Sequence, residues 1–285
     1  MADRRTLDRR IKNLRRTRQV TYAMQLIASI KLKRVQKDAE RGQRYWQELA
    51  DVLNLLPGES AAPAPRRHLL VVIATDRGFA GNANQLLADF LRGRLDKDGA
   101  DRPDETIAVG RHAARILTAA GLPPSLTVSV PDAPVAADLM SLEAVLEERL
   151  AQEPALAIDV MSLRFHSFAK QVPAETPLWP VARPKGTADR ADYLFEPPAK
   201  AVAVRVQPRL LAASLLVLLR EAKASEHAIR MRAMRQATES ADEMLATLQI
   251  QRSRLRQQKI TQEILEIVAD AAIRRNRNES GKTDA

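Results

Sequence analysis

The stretch TDRGFAGNAN, residues 75–84, contains the residue types that a phosphate-binding loop uses. It directly follows the apolar run HLLVVIA and combines two glycines with an acid, a base and amide side chains. Phosphate loops present backbone N–H groups at a helix start, and the familiar form ends in G-K-[ST]. Here Gly78 and Gly81 are followed by Asn82, without a lysine or hydroxyl in place. The pattern favours a tight turn, with Asp76 or Asn82 capping the next helix, over a nucleotide site.

Other catalytic and metal-binding patterns are missing from the sequence. The chain has no cysteine, which excludes thiolate ligands and cysteine nucleophiles. Its four histidines are scattered and none belongs to an H-E-x-x-H motif, and there is no G-x-S-x-G motif. We therefore expect no catalytic, cofactor-binding or metal-binding residue in this chain.

Positive charge is concentrated near the N-terminus. The formal net charge is +10, and residues 1–44 alone hold 14 Lys/Arg against 4 Asp/Glu. Nucleic acid, anionic lipid and an acidic protein surface are the partners that such a segment fits. Few aromatic residues lie among the basic ones, which disfavours base stacking. A basic coiled-coil nucleic-acid-binding protein stays open as the alternative function.

The N-terminal segment is predicted to form a long coiled-coil helix over residues 1–57. It has no proline before Pro57 and one glycine, so nothing interrupts a helix of about 80 Å at 1.5 Å per residue. A helix of this length needs a partner along its apolar seam. The seven-residue repeat that defines the seam comprises Leu7, Leu14, Thr21, Ala28, Val35, Gly42, Leu49 and Leu56.

A second coiled-coil helix is predicted over residues 208–276. Polar residues such as Gln236 and Ser240 interrupt its seam, which predicts a weaker, partly solvated pairing. Two such helices at opposite ends of a chain pair most simply in antiparallel fashion, with the C-terminal helix projecting past the other. The apolar residues that follow the 4–3 spacing are Leu211, Leu215, Leu218, Ala222, Ile229, Ala233, Met244, Leu255, Leu265, Ala269 and Ala272.

Between the helices, residues 66–200 are predicted to form a compact domain. Strand and helix candidates alternate at the spacing of βαβ units, and proline-rich residues 173–198 predict loops with an edge strand. The predicted fold class is α plus α/β: a long antiparallel two-helix coiled coil formed by the N- and C-terminal segments, with an inserted α/β domain that has a mainly parallel sheet. Strands are expected at 69–74, 106–109, 126–130 and 156–165, and helices at 84–95, 112–120 and 141–152.

Several long blocks of the sequence resemble one family. IKNLRRTRQVTYAMQLIASIKLKRVQ, residues 11–36, is similar to the N-terminal signature of the γ subunit of F-type ATP synthases. SEHAIRMRAMRQATESADEM (225–244) and ITQEILEIVADAA (260–272) resemble that family's C-terminal signature. TDRGFAGNAN resembles the family's S-D-R-G-L-C-G-G-x-N turn. The blocks are collinear and span most of the chain.

The resemblance implies a rotor function without catalysis. In this family a ring of α and β subunits performs the nucleotide chemistry, and the γ subunit is the central shaft that transmits torque between that ring and the membrane c-ring. The implied partners are the α and β subunits, the ε subunit and the c-ring, with no nucleic acid. The implied location is peripheral, at the cytoplasmic face of the bacterial inner membrane.

The resemblance also implies six partner-contact residues. The first lies at the family's β-facing position on the N-terminal helix, and the next three lie at contact positions on the C-terminal helix. The last two lie in YLFEP, which matches the foot region that meets the c-ring and the ε subunit. In this order the residues are Met24, Arg256, Gln262, Glu263, Tyr193 and Glu196.

The sequence departs from the family pattern at several places. Tyr22 stands where the family commonly has lysine, and Phe79 and Ala80 replace Leu-Cys. The cysteine-bearing regulatory insert of chloroplast members is missing, which argues against thiol control. Such departures are compatible with a divergent bacterial member or an alternative, sodium-type enzyme, so the coupling ion stays open.

Overall fold

The computed structural model describes residues 2–56, 67–96, 102–180 and 195–280, with side chains over residues 5–269 of these ranges. It confirms the predicted fold class, because two long helices flank a mixed, mainly parallel sheet. The helices are α1 (Ala2–Leu55), α2 (Ala83–Leu95), α3 (Arg111–Ala119), α4 (Met140–Gln152) and α5 (Ala199–Ser280), with a 3₁₀ turn at Ala136–Leu139. The strands are β1 (Arg67–Ile73), β2 (Glu105–Val109), β3 (Leu126–Val128), β4 (Leu156–Phe165) and β5 (Gln171–Trp179).

The chain divides into two compact units. The first comprises Met1–Met24 and Met234–Ala285, and the second comprises Gln25–Ala233. Each long helix therefore contributes residues to both units, whereas the sheet belongs to the second unit alone.

The first unit is a pair of antiparallel helices. Leu7 and Ile11 of α1 are buried against Leu245 of α5. Arg18 forms an ion pair with Asp242 at 2.9 Å, and Asp8 one with Arg252 at 3.8 Å. Partner numbers rise along α5 as they fall along α1, which shows the antiparallel direction.

A polar contact lies inside this helix pair at Thr238, whereas the sequence places the polar seam positions of α5 at residues such as Gln236, which is exposed. The hydroxyl oxygens of Thr21 and Thr238 lie 2.8 Å apart and both residues are buried. Each hydroxyl also contacts a carbonyl of its own helix, that of Arg18 or Met234. The pair is therefore satisfied without water.

The predicted seam of α5 is wrong at two positions in the first unit. The 4–3 spacing places Met244 and Leu265 in the seam, but they are 56% and 63% exposed. Near Met244 the buried positions are instead Ala241 and Leu245. Leu265 is exposed because α1 begins at Ala2. Since Asp8 faces Arg252, α1 accompanies α5 only to about residue 258.

In the second unit the sheet has the order β3-β2-β1-β4-β5. The first four strands are parallel, and β5 is an antiparallel edge strand. Prolines 173 and 177 remove two N–H donors from β5, as is common on edge strands. β2 and β4 lie on opposite sides of β1, so the direction in which successive strands are added to the sheet reverses at β1. Such a switch point is where α/β sheets usually bind ligands.

The sheet is buried on both faces. Alternate residues of β1 point to opposite sides, and Leu70 and Val72 pack with α2 and α3, whereas Leu69 and Val71 pack with α4 and α5. On the second face α5 contributes a continuous apolar stripe. Its buried members are Leu211, Leu215, Leu218, Leu219 and Ala222.

This stripe explains why α5 is, by length and composition, apolar enough to cross a membrane. The apolar residues that give it this character pack against the sheet, as the core helix of a folded domain does.

Helix α5 begins at Ala199, nine residues before the sequence prediction. The sequence places the start there because no glycine or proline follows Pro208 until Gly281. In the structure Pro208 lies inside the helix. The preceding turns are held by packing, because Val202 and Val206 join a cluster with Trp46 and the buried Leu53 of α1.

Two glycine substitutions in the second unit are expected to change the free energy of unfolding in opposite directions. Gly110 has φ +99°, and a Cβ there would lie 2.4 Å from the carbonyl oxygen of Ala74. We expect Gly110→Ala to lower the free energy of unfolding by about 3 kcal/mol or more, because backbone cannot move aside. Gly93, inside α2, has open space around its Cβ position. Gly93→Ala should raise stability by about 0.5–1 kcal/mol.

Urea unfolding of both variants and the wild-type chain measures the two effects. A neutral Gly110→Ala would contradict the close approach of strand β1 and the start of α3.

Candidate functional site

The TDRGFAGNAN stretch follows β1 and forms a turn whose polar side chains bond within the protein. The Asn84 amide nitrogen donates to the Thr75 hydroxyl at 2.9 Å. Asp76 Oδ1 accepts the Arg111 backbone N–H at 2.9 Å and the Ser129 hydroxyl at 3.1 Å. These groups connect the turn to α2, α3 and the end of β3.

The capping prediction for this turn is wrong in detail. Asn82 occupies the N-cap position of α2 but makes no side-chain hydrogen bond to that helix. Asp76 caps a different helix, α3, because its carboxylate accepts the N–H of the first residue, Arg111. Spacing along the chain gave no signal for this contact, which forms where neighbouring parallel strands bring their carboxyl ends together.

The crevice at the switch point is filled by α5. Between the ends of β1 and β4, Lys223 and Glu226 line a remaining space of only about 10 Å³, about what one water requires. Ser225 donates to the carbonyl of Leu163 at 2.9 Å and so bonds α5 to β4. A helix therefore occupies the place where a nucleotide would bind in a related α/β fold.

Buried charges concentrate where α5 enters this crevice. Glu226 contacts Lys223 at 3.1 Å and Arg230 at 2.6 Å, and the three side chains are 5%, 2% and 10% exposed. Lys and Glu are almost never this buried unless they are paired. SEHAIRMR begins the block that resembles the family's C-terminal signature, but only its position in the fold reveals the ionic cluster.

His227 lies beside this cluster in a defined neutral form. Its Nε2 lies 3.3 Å from the Asp132 carbonyl oxygen, which only accepts, so Nε2 carries the hydrogen. Its Nδ1 lies 3.4 Å from Arg230 Nη1, which only donates. Burial lowers the pKa of His227, and the Arg230 charge lowers it further against the opposing effects of Glu226 and Asp132.

Asp132 joins two further elements to the same place. Its carboxylate contacts Lys31 of α1, and Arg77 of the turn at 3.2 Å. Burial alone would raise the pKa of Asp132, but Lys31 and Arg77 outweigh burial and hold the pKa below its ordinary value. Arg230 also approaches the carbonyl of Gly78 at 3.5 Å.

The structure describes five of the six partner-contact residues implied by the resemblance, four in the first unit and one in the second. In the first unit, Met24 is half-buried on α1. Arg256, Gln262 and Glu263 are exposed on the last part of α5, about 27 Å or more along the helix from Thr238, which faces Thr21. In the second unit, Glu196 is exposed just before α5, and Tyr193 lies outside the described residues.

The end of α5 also exposes an apolar surface. Every residue from 256 to 269 is exposed. Within this segment Lys259 pairs with Glu263, and Gln262 donates to Glu266 of the same helix. The sequence contained a signal for this surface, since the apolar spacing of α5 continues past the residues that α1 can cover. The large apolar side chains exposed here are Ile260, Ile264, Leu265, Ile267 and Val268.

His227 gives the chain a testable acid sensitivity. Because its pKa is lower in the folded state, the unfolded state takes up the proton first, and stability falls as pH drops below about 6.5. The slope should be at most about 1.4 kcal/mol per pH unit. Since Gln has one donor and one acceptor group but does not titrate in this range, His227→Gln should remove this part of the slope.

Urea unfolding of the full chain between pH 8 and 5 measures the difference between wild type and variant. The carboxylate of Asp132 contributes stability that persists to lower pH, since its pKa is depressed. Equal slopes in the two proteins would contradict a neutral, buried His227.

Known proteins are similar to this chain in sequence over most of its length. The family model described as ATP synthase matches residues 3–272. The ATP synthase gamma chain of Moorella thermoacetica is 33% identical over 282 residues, covering 95% of this chain and 99% of that protein. The ATP synthase gamma chain of Acidiphilium cryptum is 32% identical, with the same coverage of 95% and 99%.

Solved structures share the fold. A chain of the Euglena gracilis mitochondrial ATP synthase rotor matches with a TM-score of 0.61 and 15% identity, covering 91% of this chain and 99% of that one. A chain of the Tetrahymena thermophila central stalk and c-ring matches with a TM-score of 0.53 and 20% identity, covering 76% and 99%. From the family model and the near full-length relatives, this chain belongs to the ATP synthase gamma chain family.

Proposed function

We propose that the chain is the central rotor shaft of a rotary ATP synthase, a subunit that transmits torque but performs no catalysis itself. The observation that carries the proposal is the 32–33% identity to ATP synthase gamma chains over 95% of this chain. Chains of the same fold come from structures titled rotor and central stalk. The partners are the catalytic ring of α and β subunits, the c-ring and the ε subunit.

A non-catalytic role is supported by how the turn and the crevice are used. Within TDRGFAGNAN the Asp76 carboxylate accepts the N–H of Arg111 at the start of α3, and the Asn84 amide donates to Thr75. The switch-point crevice is filled by Lys223 and Glu226 of α5. Nucleotide chemistry then belongs to the α and β subunits, and the complex holds this chain at the cytoplasmic face of the bacterial inner membrane.

The first unit has the asymmetry that such a shaft requires. Three equivalent catalytic sites differ only when something without threefold symmetry contacts them. In this unit the described part of α5 continues past Ala2, where α1 begins, with apolar and charged residues on its surface. As the helix turns, it contacts each catalytic subunit differently and so shifts that subunit's affinity for nucleotide.

Weak contacts suit this task. Exposed ion pairs contribute only about 0–1 kcal/mol each, so they form and break without stalling rotation. We propose that Met24, Arg256, Gln262 and Glu263 contact the catalytic ring. Tyr193 and Glu196 are the proposed contacts with the c-ring and the ε subunit.

Substitutions at the end of α5 test these contacts. Arg256→Ala and Gln262→Ala should each lower ATP synthesis by the reconstituted complex about two- to tenfold, because each removes a ring contact of about 0.5–1.5 kcal/mol. The isolated variants should unfold like wild type, since both residues are exposed. Arg115→Ala, which removes an exposed arginine on α3, is the matched control and should leave synthesis unchanged.

Wild-type synthesis in both variants would remove these residues from the contact surface. The assignment as a whole is tested by native mass measurement of the chain purified together with α and β subunits. Stoichiometric nucleotide binding by the isolated chain, lost in Arg77→Ala, would instead indicate an enzyme. Salt-dependent retention on duplex DNA without affinity for the α/β ring would indicate the nucleic-acid-binding alternative.

A further inference from the structure

We propose that Glu226 is the positioning residue of a buried ionic joint that fixes α5 to the segments that follow β1 and β3, and that torque passes through this joint into the helix. The inference rests on the proposed rotor function and names the residue on which transmission depends. The joint lies wholly within the second unit and consists of Lys223, Glu226, His227 and Arg230 of α5 with Asp132.

Glu226 is the centre of the joint because one carboxylate holds two cations. Both cations lie on α5 itself, so Glu226 acts on the rest of the unit through Arg230, which it orients. Its Oε2 lies 3.1 Å from Lys223 Nζ and its Oε1 lies 2.6 Å from Arg230 Nη2. Among the described residues Lys223 is the most deeply buried lysine, and no other carboxylate forms an ion pair with it. Removing the negative charge would therefore leave two buried cations without an anion, which strongly disfavours this arrangement.

The joint connects α5 to three other parts of the unit. Arg230 reaches the carbonyl of Gly78 in the turn after β1. His227 donates to the carbonyl of Asp132, in the segment after β3. The Asp132 carboxylate then contacts Arg77 of the turn and Lys31 of α1. Every connection is a directional polar contact rather than an apolar one.

This chemistry suits the transmission of torque better than apolar packing does. Apolar contacts are non-directional, whereas each hydrogen bond or ion pair holds its donor and acceptor at a defined distance and angle. A buried ion network adds little net stability over apolar packing of the same volume, but it fixes geometry because each partner must stay in place. The leucine stripe of α5 thus stabilises the unit, whereas the joint sets the rotational position of the helix.

Glu226→Gln in the complete reconstituted complex tests the joint. Gln keeps the volume but pairs with neither cation, so the joint should yield under load. We expect ATP synthesis against an ion gradient to fall at least about fivefold, while unloaded ATP hydrolysis by the detached catalytic ring with this chain stays within about twofold. Glu226→Asp, which keeps the charge on a shorter side chain, should lie between wild type and Glu226→Gln.

Leu117→Ala is the matched control. Leu117 is buried on α3 against the sheet and touches no member of the joint. The variant loses stability by opening a cavity. It should therefore lower synthesis and hydrolysis in the same proportion, because only the number of competent complexes falls. A loss of synthesis without a matching loss of hydrolysis therefore distinguishes a residue of the joint from a residue that only keeps the chain folded.

Arg230→Lys keeps the inference testable should Glu226→Gln fail to assemble. Arg230 directs Nη1 at His227 and Nη2 at both Glu226 and Gly78, whereas lysine has a single nitrogen. The charge for Glu226 is retained but the other contacts are not, so the same split between synthesis and hydrolysis is expected. Unchanged synthesis, or a parallel fall in both activities as in Leu117→Ala, would overturn the joint. Failure of the rotor function itself would be seen separately, as coupled synthesis by wild-type rings assembled without this chain.

Discussion

Helix α5 has to satisfy three different environments along one continuous helix, and the rest of the structure depends on this. From Leu211 to Ala222 it buries leucines against the sheet. From Lys223 to Arg230 it carries buried charge at the ends of β1 and β4. From Met234 onwards it pairs with α1 and then continues alone. Apolar burial supplies most of the stabilising free energy, at about 1.5–3 kcal/mol for each leucine.

The second unit shows how an α/β sheet is used for structure rather than for ligand binding. Its strand order creates a switch point, and the turn after β1 has the glycines of a phosphate loop. In this chain α5 fills the crevice, and Asp76 and Asn84 bond to neighbouring elements. Fold alone is therefore a poor guide to function, and what occupies the site decides it.

Much of the fold was predictable because periodicity and breakers are local. Long segments without proline predict α1 and α5, and alternation predicts β1, β2, β3 and β4 with helices between them. Contacts between distant segments were not predictable. The early start of α5 depends on packing around Trp46, and the capping of α3 by Asp76 depends on the sheet. The burial of Glu226 was not predictable either, because it depends on which distant segments cover that face of α5.

Direct observation of rotation tests the central claim most closely. The chain has no cysteine, so Arg115→Cys on exposed α3 gives a single attachment point for a visible probe. With the α/β ring held on a surface, the shaft account predicts that ATP turns the probe in one direction, with three pauses per revolution. A probe that only fluctuates, with or without ATP, while the ring still hydrolyses ATP would contradict the account.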